Sequence, residues 1–148
     1  MTIQGRLESD YIQAYKAKDT VRLAVLRHLK TAAKNREVEV LRPLTDDDLL
    51  DLISRQVKQR RDSIEQYEKH GRTDLAAVEV AELAVLEGYM PSPLSEAELT
   101  EIIERLVAET GASSPKDMGR VMAALTLGYK GRYDGSKASS AVRSRLSS

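Results

Sequence analysis

The chain has 148 residues, with 23 Lys plus Arg against 23 Asp plus Glu, six Tyr, and no Cys, Trp or Phe. This length allows one domain or two small units sharing a chain. Balanced charge excludes a globally basic nucleic-acid wrapper and an acidic disordered tail, the lack of Cys excludes disulfides, zinc–thiolate sites and a Cys nucleophile, and the lack of Phe and Trp speaks against an aromatic RNA-stacking sheet.

Leu, Ala, Glu, Arg and Lys dominate, and β-branched residues rarely alternate with polar ones, so the pattern predicts an all-α protein. Residues 2–18 carry Ile3, Leu7, Tyr11 and Tyr15 at steps of four, the expected inner face of a first helix. Asp19 or Thr20 caps a second, which holds Val21, Val25, Leu29 and Ala32 beside Leu26 and Ala33 and runs to about Val40, short of Pro43. Thr45 is the next N-cap, and Asp46, Asp47 and Asp48 occupy the first turn, where the helix dipole favours anions. The long helix that follows ends at Gly71, a left-handed C′ position. A fourth begins near Thr73, carries Ala76, Val80, Leu83 and Leu86, and closes at Gly88. Pro91 and Pro93 then break the chain, since neither fits a helix interior.

Ser95 and Glu98 form a capping box, with Leu94 and Leu99 as its hydrophobic staple. Leu99, Ile102, Ile103, Leu106 and Val107 follow at helical spacing, and Gly111 stops the run. Ser114, Pro115 and Asp117 open another helix with Met118, Val121, Met122 and Leu125, ended by Gly128 and Gly131. Asp134-Gly135 leads to a last helix with Val142 and Leu146. The expected architecture is two-lobed: about four helices over 1–90 and a smaller three-helix bundle over 94–148.

The neutral total conceals a segregation. Residues 1–44 hold nine basic and five acidic side chains, residues 45–115 seven and sixteen, and residues 116–148 seven and two, a net +5. The segment Lys130-Gly-Arg-Tyr-Asp-Gly-Ser-Lys137 concentrates this charge. Its two glycines let backbone approach a ligand. Lys130, Arg132 and Lys137 supply cations, the following helix N-terminus offers N–H donors, and Tyr133 offers a ring to stack. Arg143 and Arg145 stand further along. The same spacing equally describes an ordinary inter-helix turn capped by Asp134.

Other candidates read as structural. His28 lies beside the apolar face of its helix and is expected to be partly buried, with no partner to make it a base. His70 precedes Gly71 and reads as a helix-end cation. Glu79 and Glu82 sit three apart but lack His partners for a metal, so a solvated face is expected. Lys58, Arg60 and Arg61 share a helix with Asp62, Glu65 and Glu68, where pairing at i,i+3 and i,i+4 is the expected arrangement. Ser113-Ser-Pro-Lys116 matches a Ser-x-x-Lys nucleophile motif, but its companion motifs are missing and helix capping explains the serines. No metal or cofactor is expected.

Several stretches together resemble the GatB/YqeY family: Val21–Asn35, Val57–Tyr67, Gly71–Leu75, Glu79–Pro91 with Leu86-Glu-Gly-Tyr-Met-Pro91, Glu109–Met122, and Lys130-Gly-Arg-Tyr-Asp-Gly135. The resemblance spans nearly the whole chain. Its second half is similar to the tail of GatB, a subunit of the tRNA-dependent amidotransferase that converts mischarged Glu-tRNA or Asp-tRNA to Gln-tRNA or Asn-tRNA. The loop departs from the family pattern in one place: Ser136 follows the Asp-Gly pair, and the Lys comes one position later.

The resemblance implies a non-catalytic tRNA-binding accessory module. Lys130, Arg132, Lys137 and Arg143 would contact phosphates, with Lys116 and Arg120 at the edge. Such contacts position RNA without reading its sequence. Expected partners are tRNA and, in an alternative reading, amidotransferase subunits or glutaminyl-tRNA synthetase docked by an adaptor. A carbon–nitrogen ligase using glutamine as amido donor is the third reading, and it lacks a nucleophile–base pair. No DNA or membrane partner is expected. The polar start and the lack of any long apolar run make the cytoplasm the default location.

Overall fold

The computed structural model describes residues 2–148. Seven α-helices make up the described chain: α1 (Ile3–Ala17), α2 (Thr20–Val40), α3 (Asp46–Lys69), α4 (Thr73–Glu87), α5 (Glu96–Thr110), α6 (Met118–Tyr129) and α7 (Gly135–Ser147). A single 3₁₀ turn, Pro115–Asp117, precedes α6. The chain divides into two compact units, Met1–Met90 and Pro91–Ser148.

The helices start where polar side chains can take the first free N–H groups. Thr2 Oγ1 accepts from Gly5 N (3.0 Å) and Asp19 Oδ1 from Arg22 N (3.1 Å). Thr45 and Asp48 form a reciprocal capping box (2.9 and 3.2 Å), and Arg42 donates to Asp48 (2.6 Å). Ser95 and Glu98 form another (both 3.1 Å). Gly71 and Gly111 hold φ of +69° at helix ends, as a left-handed C′ residue requires. Lys18 and Leu41 do the same at φ +56° without being glycine.

In the first unit the core is aliphatic: Leu7, Val25, Leu26, Leu29, Leu49, Ile53, Val57 and Leu86, closed by Tyr89. The Tyr89 hydroxyl donates to Asp10, and its ring lies under the Arg6 guanidinium (4.8 Å). Burial, followed by the Asp10 hydrogen bond, pushes the Tyr89 phenol up from its ordinary pKa. Three expected core positions are displaced, and Val21 at the start of α2 is one of them, exposed where Val25 and Leu26 are buried. Tyr15 is 64% exposed, and Ala14 is buried in its stead. At about 100° per residue, three steps of four leave Tyr15 about 120° from Ile3, while seven residues return Ala14 to within about 20° of Leu7. On α4, Val80 is 50% exposed because it lies about 80° from the centre of the face on which Ala76 and Leu86 are buried.

The charged residues of α3 and α4 depart further from expectation. Glu79 and Glu82 do not form a solvated face. Arg60 of α3 reaches across to both, donating from Nη1 to Glu79 (3.0 Å) and to Glu82, with all three side chains mostly covered. Arg61 pairs with Glu87 (2.9 Å). Within α3 itself, Glu65–Lys69 (3.2 Å) is an i,i+4 pair, whereas the Arg60 and Arg61 ion pairs run between helices. His28 is exposed rather than partly buried, because it lies about 100° from the centre of the Val25–Leu26–Leu29 face.

In the second unit α5, α6 and α7 enclose Ile102, Ile103, Leu106, Val107, Val121, Leu125, Ala138, Val142 and Leu146. Asp117 organises the turn into α6. It accepts from Ser113 N (2.9 Å) and Ser114 N (3.3 Å) and pairs with Arg120 (2.8 Å). The Ser113 N–H, then Arg120, hold its carboxyl down at about 2.

Two outcomes follow. Arg60→Leu leaves two covered carboxylates without their cation, and urea denaturation is expected to show a loss of about 2 kcal/mol. Replacing Glu79 and Glu82 by Leu as well is expected to restore most of it. Asp117 has a depressed folded pKa against about 3.9 unfolded, so its contribution is present above about pH 4 and is lost as pH falls towards 2. Thermal melts of Asp117→Asn are expected to lose less stability across that window than the parent chain does.

Candidate nucleic-acid interface

The basic loop is built by the end of α6. Tyr129 is its last residue, Lys130 is extended (φ −53°, ψ 131°), and Gly131 turns the chain at φ +80°. The turn closes with Arg132 N donating to Tyr129 O (3.0 Å). Arg132 then fastens the loop to the segment before α5. Its carbonyl accepts from Leu94 N (2.7 Å), and its Nε donates to Ser92 O (2.9 Å).

Tyr129 stands between two guanidinium groups. Arg132 and Arg105 each lie 6.0 Å from its ring centroid, and Arg105 also donates to its hydroxyl. The ring's negative face favours cations at this range. The composition of the loop did not reveal Arg105. It sits on α5, 24 residues before Tyr129, and in sequence it reads as an i,i+4 partner of Glu109 (3.7 Å). Two acids border the cluster: Glu109, beside Arg105, and Glu98, whose carboxyl is held below its usual range first by the Ser95 cap and least by the Arg132 charge.

The predicted cations do not form one patch. Lys130 and Arg132 are half-buried members of the loop. Lys137 and Arg143 are exposed on α7 and make no ion pair among the described residues, but six residues separate them by about 120° around the helix. Lys116 and Arg120 do not border the loop. They lie at the opposite end of α6, whose twelve residues span about 18 Å. Arg120 is engaged there by Asp117 and by the Thr110 carbonyl (2.9 Å). Arg145 pairs with Glu104.

Two further expectations change. Asp134 caps α7 by accepting from Lys137 N (3.0 Å), so that N–H serves the turn and not a ligand. Tyr133 is no free stacking platform. Its ring packs on the core of the second unit, and its hydroxyl bonds Thr126 Oγ1 (2.9 Å). Tyr129 is the ring that meets the cations.

Ser113 hydrogen-bonds Asp117 through its N–H and hydroxyl, a capping role. Among the described residues no group of three or more His, Asp or Glu is placed to hold a metal, and no helix is long and apolar enough to cross a membrane.

Comparison with known proteins places this arrangement. The family model described as Yqey-like protein matches residues 4–146. Altered inheritance of mitochondria protein 41 of Lachancea thermotolerans is 35% identical over 114 residues, covering 75% of this chain and 61% of that protein. Its namesakes in Eremothecium gossypii and Saccharomyces cerevisiae are 36% and 31% identical, covering 64% and 68% of this chain and 52% and 56% of their own lengths. The chain thus spans about half to three-fifths of the length of these relatives. All three are mitochondrial by name, which overturns the cytoplasmic expectation. That expectation rested on a missing export signal, which says nothing about this compartment. The chain belongs to the Yqey-like protein family.

Proposed function

We propose that this protein is a non-catalytic tRNA-binding accessory module, related to the tail of tRNA-dependent amidotransferase, that meets RNA phosphates through the loop after α6. The observation that carries this reading is the anchored cation cluster, Arg105, Tyr129 and Arg132 with Lys130 beside them, in a unit whose last 33 residues hold seven basic and two acidic side chains. Exposed Lys137 and Arg143 extend the field on α7. Phosphate contacts of this kind supply sequence-independent affinity. Family membership and the tail-like second half support the partner class.

A protein partner is the second reading, and one observation favours it. Helix α4 is apolar nearly all round, and Ala77, Val78, Val80, Ala81 and Ala84 are exposed on its outer side. A helix of that composition is ordinarily buried. Residues 45–90 of the same unit carry six basic and eleven acidic side chains, a net −5, which does not favour RNA. A ligase activity has no support in the side-chain geometry, since no nucleophile stands with a base among the described residues.

Labelled bulk tRNA titrated across salt tests the leading reading. Four phosphate contacts are expected to give a log–log slope of about −3, at about −0.7 per contact. Lys130→Ala/Arg132→Ala is expected to reduce it to about half. The exposed pair Lys137→Ala/Arg143→Ala, which breaks no hydrogen bond of the fold, is expected to reduce it comparably. Unchanged slopes in both variants would remove the loop and α7 as the interface.

A further inference from the structure

The first unit holds an open cleft of about 350 Å³, formed by α1, the start of α2 and the end of α4. Pockets for small ligands begin at about 300 Å³. Helix α4 contributes apolar side chains to it, Ala84 and Val85, and the bare backbone of Gly88 follows. The rest is polar: Arg6 and Asp10 of α1, Arg22 of α2, and Tyr89. The RNA contact proposed above lies in the other unit and leaves this cleft without a role.

Its charges are not paired off. Arg6 and Asp10 stand four apart on α1, a spacing at which opposite charges ordinarily meet, yet they make no ion pair among the described residues. Arg6 lies instead 4.8 Å over the Tyr89 ring and donates from Nη2 to Gly88 O (3.0 Å). Asp10 accepts from the Tyr89 hydroxyl. Arg22 comes only to 3.9 Å from Asp10, beyond hydrogen-bond distance, and its guanidinium donates to no described residue. That side chain lines the cleft and is 34% exposed, so water or a ligand can reach it. Both arginine charges act on the Tyr89 phenol, against the larger effects of burial and Asp10, which keep it protonated and neutral.

Charge and surface narrow the ligand. Two guanidinium groups against one carboxylate leave an excess of one positive charge. A cation is repelled, and a neutral molecule leaves that excess unmet. A phosphate monoester carries about −1.5 to −2, more than the excess, and it also faces Asp10 and the negative end of α4. A single carboxylate matches the charge, and its two oxygens match the planar fork of Arg22. An aliphatic body behind the carboxylate takes Ala84 and Val85 out of water. We propose that this cleft binds a monocarboxylate with a small aliphatic body, anchored by Arg22 and seconded by Arg6. Free branched-chain acids and an aliphatic residue at a peptide C-terminus share this chemistry.

The test uses the ¹⁵N-labelled full chain at constant ionic strength, with probes at up to about 100 mM, enough to detect millimolar binding. Isovalerate and acetyl-Ala-Leu carry the carboxylate and the body. Isovaleramide and isopentylammonium keep the body and change the charge, and inorganic phosphate keeps the negative charge without the body. Isovalerate is expected to shift the Arg22 Nε–Hε signal and the backbone amides of residues 84–89, and to bind at least about fivefold more tightly than the amide, the ammonium or phosphate. Tighter binding of acetyl-Ala-Leu than of isovalerate assigns the cleft to chain ends, and weaker binding assigns it to free acids. Arg22→Gln keeps the backbone N–H that Asp19 caps, so the fold is expected to persist and isovalerate binding to weaken about tenfold. Ala84→Phe, at an exposed helix position, fills the apolar side and is expected to weaken isovalerate at least about fivefold. No shift with isovalerate or acetyl-Ala-Leu, equal binding of isovaleramide or phosphate, or unchanged isovalerate binding in either variant would overturn the proposal.

Discussion

What the second unit presents to a partner depends on how one residue is held. Arg132 is anchored through its carbonyl to Leu94 and through its Nε to Ser92. These bonds fasten the loop after α6 to the segment that leads into α5, itself fixed by the Ser95–Glu98 box. The guanidinium lies 6.0 Å from the Tyr129 ring centroid, and that of Arg105 lies 6.0 Å from the same ring. Both guanidinium groups are thereby held near one ring. A planar guanidinium with some donors fixed and others directed outward is suited to phosphate oxygens. Ordering costs that a mobile basic tail would meet on binding are met here during folding.

The first unit follows a different logic. Its long helix α3 starts as an ordinary amphipathic element on Leu49 and Ile53, then carries Gln56, Arg60 and Ser63 inward. In the Arg60–Glu79–Glu82 cluster one guanidinium meets two carboxylates at close range, which offsets part of the cost of covering them. Replacing such a cluster by apolar side chains is often neutral or stabilising, so packing alone does not account for it. Charge separates within the units and not between them: residues 1–90 carry a net −1 and residues 91–148 a net +1, and the basic excess is confined to residues 116–148.

Local signals were legible in the sequence. The caps at Thr45, Ser95 and Asp134, the glycine stops at Gly71 and Gly111, and the proline break before Ser95 each act within a few residues, and the helices begin and end there. The second core could be read for the same reason: Ile102, Ile103, Leu106 and Val107 repeat at true helical spacing. Tyr15 was misplaced because repeated steps of four drift off a face that turns every 3.6 residues, and Val80 because the buried face of α4 centres between Ala76 and Leu86. What escaped was whatever joins distant segments. Glu79 and Glu82 look like a surface pair until Arg60 is set across from them. Arg105 looks like a partner for Glu109 until Tyr129 is brought beside it. Arg120 counts as a free cation until Asp117 and the Thr110 carbonyl claim it. Charge type was readable, but the partner of each charge was not, and the partner decides whether a cation is available to RNA.

The direct test of the anchored loop as the RNA contact is a titration of tRNA into the ¹⁵N-labelled full chain, followed amide by amide. The expected result is that signals from Tyr129 to Lys137, with Arg105 and the exposed side of α7 around Arg143, shift or broaden first, while α3 and α4 stay unperturbed. Perturbation that falls instead on α2, α3 or α4, with residues 129–137 unchanged, would contradict it.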